Sequence, residues 1–408
     1  MHGKKSILFV MNTMGRAGAE RALIELMRVL DPDRYKISLY VLIPRGELFD
    51  EVPGYVHILN RRTDSRSILS TGGKLFVAAR LAKASLRKGS MAKALSRIRK
   101  RKKTSGKQER SQALEKVLRR MLADGAAGLH GRYDLAVAYL EGPATWYTAE
   151  KIHADRKAAF LHIDYGKAGY SKDLDAGCYN VFDRIYAVSE DVRKQFLQVY
   201  PEYEGKTELF FNIINREHIR TRAEEPGGFT DGFRGIRLLT VGRLYYQKGY
   251  DIAIKTAAIL KEEGCAFRWY ALGEGEERKN LQRQIKECGL EDVFLLLGAA
   301  DNPYPYFKQA DIYVCTSRYE GKSIVIEEAQ ALGKPVVATG CTGIEEQICS
   351  GRDGVITGMD PESLAQEIEK LIKDPDMRRR YGQAACERKL SYEEYLKDFL
   401  SLAGSDGI

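Results

Sequence analysis

Short apolar runs alternate with segments of helical periodicity along most of this 408-residue chain. That alternation constrains the fold more than any other feature. Strands that alternate with helices pair in parallel, because each helix must cross back over the sheet before the next strand begins. "SILFVM" near the N-terminus reads as a buried parallel strand. It is followed by a glycine-bearing loop, "NTMGRAG", and by "AERALIELMRVL", with Leu23, Leu26, Met27 and Leu30 at helical spacing. "YKISLYVL", "YVHIL", "DLAVAYL", "KAAFLHI" and "RIYAVSE" continue the strand series. The stretch from about 216 to 235, "REHIRTRAEEPGGFTDGFRG", is polar and glycine-rich and reads as a linker. Beyond it the pattern restarts with "IRLLTVG", "FRWYALG", "VFLLLG", "ADIYVCT" and "KPVVAT" as strands.

The expected fold class is therefore α/β, with two Rossmann-like doubly wound parallel sheets facing a cleft. The expected domains are an N-terminal one over 1–215, interrupted by an insertion at about 61–130, and a second over 216–385. A C-terminal helix in 386–408 is expected to pack back on the first domain. Ligands in such sheets bind at the carboxyl ends of the strands.

Charge is unevenly spread. Between Arg61 and Arg120 there are 20 Lys/Arg and 3 Asp/Glu, a net of +17, in a chain whose total is +9. The rest of the chain is thus mildly acidic. Within this segment Leu75, Ala78, Ala82 and Leu86 fall on one helical face, with Arg80, Lys83 and Arg87 opposite. Three readings remain open. The segment is a solvated helical hairpin on the domain, a helix pair on an anionic membrane, or a nucleic-acid binder. The last is disfavoured, because interleaved aromatics for base stacking are missing.

Seven cysteines lie scattered without a C-x-x-C pair, which suits a reducing compartment. The N-terminus lacks the long apolar core of a signal peptide, and no run reaches the length of a membrane span. A cytoplasmic protein is expected, peripheral on the inner face of the plasma membrane if the basic segment binds lipid.

"TVGRLYYQKGYD" places Arg243 just after a strand and Lys248 at the start of the next helix. Two cations at a parallel strand's carboxyl end can meet a diphosphate, the arginine as a fork and the lysine as a point charge. "SRYEGKSIVIEEAQALGKPVVAT" resembles a P-loop ending, but the required earlier glycine is Thr316. Its helix is expected to begin around Ser323, with the N–H groups of Gly321, Lys322 and Ser323 unpaired and open to an anion. Glu328 shares a face with apolar residues, unlike Glu327, and so needs a donor partner such as ribose hydroxyls. Glu320, ahead of the helix, would face another part of the ligand. Taken alone, each of these is also what ordinary surface cations and acids look like.

Together, "VGRLYYQKG" and "EGKSIVIEEAQALGKPVVAT" resemble glycosyltransferase family four, retaining enzymes of the two-domain GT-B fold. The two glutamates, with seven residues between them, match the family signature. "GRAGAER" resembles the family's Gly-Gly-Ala-Glu loop, with Ala17 for the first glycine. "YAVSE" and the Asn212 region resemble further landmarks. The resemblance implies a sugar transferase using a nucleotide-diphosphate sugar, UDP-linked in preference to GDP-linked, with no metal and no other cofactor. Arg243 and Lys248 would hold the diphosphate, beside Gly242. Gly321, Lys322, Ser323 and Ile324 would line the donor, Glu328 would bind the ribose and Glu320 the sugar. Gly15 and Gly18 would let the first loop approach the phosphates and acceptor. His162 resembles the first-domain active-site histidine. The family's usual "EGFG" is "EGKS" here, which opens the question of the sugar. The acceptor implied is a lipid-linked or surface glycan, with an anionic membrane and no nucleic acid as partner. "DLD" at Asp173–Asp175 imitates a metal motif of another glycosyltransferase fold, but it falls in a helical stretch and reads as chance. Two alternatives share the pattern: a nucleotide-sugar epimerase, and a basic binding module on a non-catalytic Rossmann scaffold.

Overall fold

A computed structural model describes residues 4–67, 70–85, 107–163, 165, 168, 170, 172–341, 343–388 and 392–404. The chain divides into two compact units, Met1–Ile213 with Ser391–Ile408, and Ile214–Leu390.

The first unit is built on seven parallel strands. They are β1 (Lys5–Met11), β2 (Tyr35–Val41), β3 (His57–Ile58), β4 (Arg132–Ala138), β5 (His153–Leu161), β6 (Arg184–Ala187) and β7 (Thr207–Leu209), ordered β3-β2-β1-β4-β5-β6-β7. Strand order therefore reverses between β1 and β4. Helices α1 (Gly18–Val29), α2 (Thr71–Ser85), α3 (Lys107–Gly125), α4 (Pro143–Lys151), α5 (Lys172–Asp175) and α6 (Glu190–Val199) belong to the same unit. Ile7 through Met11 are all buried, as a strand covered on both faces requires.

The second unit repeats the design. Its helices are α7 (Arg216–Ala223), α8 (Tyr250–Glu262), α9 (Arg278–Glu287), α10 (Tyr304–Gln309), α11 (Ile324–Ala331), α12 (Pro361–Lys373) and α13 (Pro375–Glu387). Its strands are β8 (Ile236–Val241), β9 (Phe267–Leu272), β10 (Phe294–Gly298), β11 (Ile312–Cys315), β12 (Val336–Thr339) and β13 (Gly354–Thr357), ordered β10-β9-β8-β11-β12-β13. Every pairing is parallel, and the order reverses between β8 and β11. The last helix, α14 (Glu393–Leu402), belongs to the first unit. Phe399 stacks on Phe9 at 6.3 Å between ring centroids, and Asp398 accepts the Tyr186 hydroxyl at 2.7 Å.

Three sequence expectations need correction. The polar stretch after Asn215 is not all linker. Its first eight residues form α7, capped by the Asn215 side chain accepting from His218 N–H. Ile219 and Ala223 of α7 are buried, and this short apolar face outweighs the helix's overall polarity. Strands β7 and β13 were not anticipated. Each is three or four residues at a sheet edge, too short to show a period.

The third correction concerns the basic insertion. On α2 the expected apolar face is the exposed one, with Leu75 67% exposed and Ala78 and Ala82 exposed. Phe76, Val77 and Leu81 are half-buried instead. Phe76 lies within 5.8 Å of the Arg45 guanidinium and 5.5 Å of that of Arg80. Arg45 is itself buried against Asp64. Further on, α3 contributes Val117 and Met121 to the core. Arg120 is buried between Asp124 and Glu150 and over the Trp146 ring. That cation therefore adds nothing to a surface field. Leu86 and Arg87 lie outside the described residues, and the Lys83 side chain is likewise not described.

Candidate functional site

In the second unit the strand order reverses between β8 and β11, and the loops leaving these two strands carry the charged residues singled out above. Arg243 follows β8 and is exposed, its guanidinium 5.1 Å from the Tyr245 ring centre. Lys248 lies in a 3-10 turn, Tyr246–Lys248, one residue short of α8 rather than at its start. Gly249 then takes φ +62°, and a side chain there would strike the Thr316 carbonyl. The turn is thus pressed onto the exit of β11, where Thr316 Oγ1 donates to the Lys248 carbonyl at 2.9 Å. Gly242 is crowded in turn: a Cβ there would lie 3.3 Å from Lys248 Cε.

Lys248 Nζ donates to Glu320 Oε1 at 2.5 Å, and Ser317 Oγ donates to the same oxygen at 2.6 Å. Burial works against the charge on Lys248. Glu320 and Cys315 outweigh it and hold the ammonium above its ordinary range. The reading of Lys248 as facing phosphate and Glu320 as facing sugar therefore needs amending, because the two side chains meet. A lysine has three N–H donors, so this pairing leaves capacity for a phosphate oxygen.

Helix α11 begins after Ser323, as expected. The Ser323 N–H is not open, however: it donates to Gln347 Oε1 at 2.8 Å, and Gln347 Nε2 donates back to the Ser323 carbonyl at 2.9 Å. Gly321 and Lys322 also carry interactions within the chain. In the first turn the Ile326 N–H already donates to the Ser323 carbonyl at 3.2 Å, so the N–H groups left without an intrahelical acceptor are those of Ile324 and Val325. The Ser323 hydroxyl is buried with no hydrogen-bond partner, directly at this helix start.

The contrast drawn between Glu327 and Glu328 fails, since both are buried. Glu327 is held by Lys322 at 3.0 Å, with side chains 1% and 4% exposed, and Arg216 of α7 adds positive potential. The lysine at an otherwise aromatic position is thus one half of an internal ion pair. Glu328 Oε1 accepts the Tyr304 hydroxyl at 2.9 Å.

In the first unit the corresponding reversal lies between β1 and β4. Gly15 occupies the β1 exit loop and Gly18 opens α1. A Cβ on Gly15 would meet nothing closer than 3.9 Å. Gly46 is the constrained position, with φ +144° and the Met14–Gly15 backbone about where its side chain would go. His162 follows β5 and is buried against Tyr139, ring centroids 5.0 Å apart. Burial pushes its ring down to about 3, against a hydrogen bond to the Tyr139 backbone. It is therefore a neutral imidazole, and its Nε2 has no partner.

Sequence reasoning missed Glu141, which follows β4. It is fully buried, and its Oε1 accepts the N–H groups of His162 and Ile163 at 2.5 and 2.8 Å. Burial pushes its carboxyl up to about 7, against these bonds and the Lys116 charge. The signal available was an acid immediately after a buried strand. Asp175 of the "DLD" stretch is occupied by three neutral donors, Trp146 Nε1 and the hydroxyls of Tyr165 and Tyr200. Among the described residues one group, exposed Glu263 with half-buried Cys265 and Glu369, has metal-like spacing, and none of it borders the residues above in sequence.

Residues 234–388 match the family described as "Glycosyl transferases group 1". Among curated proteins, the chain is 30% identical over 226 residues to the Campylobacter jejuni N-acetylgalactosamine-N,N'-diacetylbacillosaminyl-diphospho-undecaprenol 4-alpha-N-acetylgalactosaminyltransferase, covering 55% of this chain and 60% of that protein. It is 29% identical over 265 residues to the lipopolysaccharide core biosynthesis glycosyltransferase LpsE of Rhizobium meliloti, covering 63% and 73%. The match to the Campylobacter protein thus spans less than two thirds of that relative's length. Among solved structures, HepE of Anabaena, crystallised with UDP and glucose, superposes with a TM-score of 0.67 at 18% identity, over 98% of this chain and 99% of that one. Two Rossmann-like units of this kind are the GT-B fold.

Proposed function

We propose that this chain is a glycosyltransferase that moves a sugar from a nucleotide-diphosphate sugar onto a glycan or lipid-linked acceptor. One observation carries the proposal. At the strand-order reversal of the family-matching unit, half-buried Lys248 and buried Glu320 meet in an ion pair, with Arg243, the start of α11 and Glu328 on the neighbouring elements. The chemistry such a group supports is departure of a nucleoside diphosphate. As the sugar–phosphate bond breaks, charge grows on the leaving oxygen, and fixed cations and N–H dipoles stabilise it without having to reorganise. Lys248 and Arg243 supply the cations, and the first turn of α11 supplies N–H groups. Glu328, oriented by Tyr304, takes the ribose hydroxyls, and Glu320 a sugar hydroxyl.

The finer reading is a hexose or N-acetylhexosamine donor, UDP-linked in preference to GDP-linked, transferred with retention and without a metal. In support, the similar HepE structure holds UDP and glucose, and the named relatives are an N-acetylgalactosaminyltransferase acting on a diphospho-undecaprenol acceptor and a lipopolysaccharide core biosynthesis glycosyltransferase. The test is a panel of nucleotide sugars screened for thermal stabilisation and for nucleoside-diphosphate release, with and without chelator. UDP-sugars should score, and the product anomer should match the donor's. Interconversion of nucleotide sugars in the absence of any acceptor would instead mark an epimerase.

The basic segment supports attachment to an anionic membrane from the cytoplasmic side. None of the described helices is long and apolar enough to cross a bilayer. Attraction of this kind is screened by salt. Liposome flotation should show capture by anionic vesicles alone, lost at high salt. Equal capture by neutral vesicles would reject the attachment.

A further inference from the structure

The 3-10 turn bearing Lys248 makes contacts to one segment, residues 316–320, at each of its positions. Arg318 N–H donates to the Gln247 carbonyl at 2.8 Å, and Gln247 Nε2 donates to the Tyr319 carbonyl at 2.9 Å. Arg318 Nη1 donates to the Tyr246 carbonyl at 2.8 Å. The same guanidinium lies 4.0 Å from the Tyr246 ring centre and forms a two-pronged pair with Asp251, Nη1 to Oδ1 at 2.9 Å and Nη2 to Oδ2 at 2.7 Å. Asp251 is in the first turn of α8, where a negative charge is favoured in its own right. Arg318 thus bonds the turn through backbone and side chain together, and anchors both to the helix that follows. The turn itself is three residues long, is closed by Lys248 N–H to the Tyr245 carbonyl at 2.9 Å and Gly249 N–H to the Tyr246 carbonyl at 3.2 Å, and carries no buried side chain.

We propose that Arg318 is a positioning residue: it straps the Lys248 turn to the Glu320 loop and so presets the pair that faces the leaving diphosphate. The inference deepens the donor-site reading and rests on it for its catalytic consequence. A planar fork is what the arrangement needs, because one group must serve Asp251 on two oxygens and the Tyr246 carbonyl at once. A lysine carries the charge but cannot span the three.

Two measurements on the full chain test this. Arg318→Lys should speed amide exchange in a peptide covering 245–249, whereas global unfolding stays close to wild type. It should also weaken UDP binding about tenfold and lower kcat more than it raises KM, as loss of a charge-assisted fork predicts. In a Lys248→Ala background the same substitution should have little further effect on UDP binding, because its route runs through Lys248. Asp251→Asn should reproduce the exchange change. Unaltered exchange in Arg318→Lys overturns the strap, whatever the nucleotide data show. Additive losses in the double variant overturn positioning through Lys248. A wild-type chain that binds no nucleoside diphosphate overturns the donor-site reading, and exchange then decides the strap by itself.

Discussion

The two sheets end in chemically opposite ways. Beyond β8 and β11 the loops hold full charges that find one another: Lys248 with Glu320, Arg318 with Asp251, Lys322 with Glu327. Beyond β4 and β5 the titratable groups are Glu141 and His162, buried, pushed toward their neutral forms, and each with an atom that has no partner. Similar topology thus supports charged, pre-paired groups beyond β8 and β11 in one unit and neutral, underbonded groups beyond β4 and β5 in the other. The difference teaches that strand order locates a site but does not choose its electrostatics. Side chains on the neighbouring strands, loops and helices do that. In the second unit Asp251 and Arg216 come from α8 and α7, whereas the first unit surrounds His162 with Tyr139 and Phe160.

The sharpest break of this comparison is Glu327→Ala. It leaves the Lys322 ammonium buried without its counter-charge and should cost about 3–5 kcal/mol in denaturant unfolding. A loss below 1 kcal/mol would show that the charged edge is not held by its pairs.

Next comes Glu320→Gln. Turnover should fall roughly a hundredfold, about 2.7 kcal/mol of transition-state stabilisation. UDP affinity should hold or improve, because the substitution removes the carboxylate that shares Lys248. Weakened UDP binding, measured by calorimetry, would mean that the acid orders the lysine rather than competing for it.

The first unit is probed by pH. Burial raises the Glu141 carboxyl from 4.5 to about 7. Between those values the folded chain keeps a proton that the unfolded chain has lost, so stability falls as pH rises. Burial lowers the His162 ring from 6.5 to about 3. There the unfolded chain holds the extra proton, so stability falls as pH drops through that window. The two trends oppose each other between 4.5 and 6.5. Glu141→Gln should expose the histidine trend, and His162→Asn the carboxyl trend, each with a slope of up to about 1.4 kcal/mol per pH unit. Thermal unfolding across pH 4–7.5 reads both. Flat profiles in both variants would show that the first edge is as solvated as an ordinary surface.

The smallest effect is expected for Tyr304→Phe. Losing one hydrogen bond to buried Glu328 should weaken UDP binding by about 1 kcal/mol and cost folding stability about as much. No change in Kd would mean that Glu328 is oriented by something other than Tyr304.

The sequence by itself determined the two doubly wound units, since runs such as "SILFVM" and "IRLLTVG" are apolar on both faces and return at helical distances. It also pointed to the loops after β8 and β11, because cations and acids there break an otherwise apolar pattern. Tertiary structure alone decided who meets whom. Lys248 and Glu320 are 72 residues apart, and Arg318 and Asp251 are 67 apart. Gln347 takes the Ser323 N–H from 24 residues away. On the covered side of α2, Phe76 likewise meets Arg45, a residue outside the helix. Local periodicity reports how much of a segment is buried. It carries no information about which partner, brought in by another strand, will neutralise a charge or occupy a helix end, because those energies depend on distances that only the folded sheet creates.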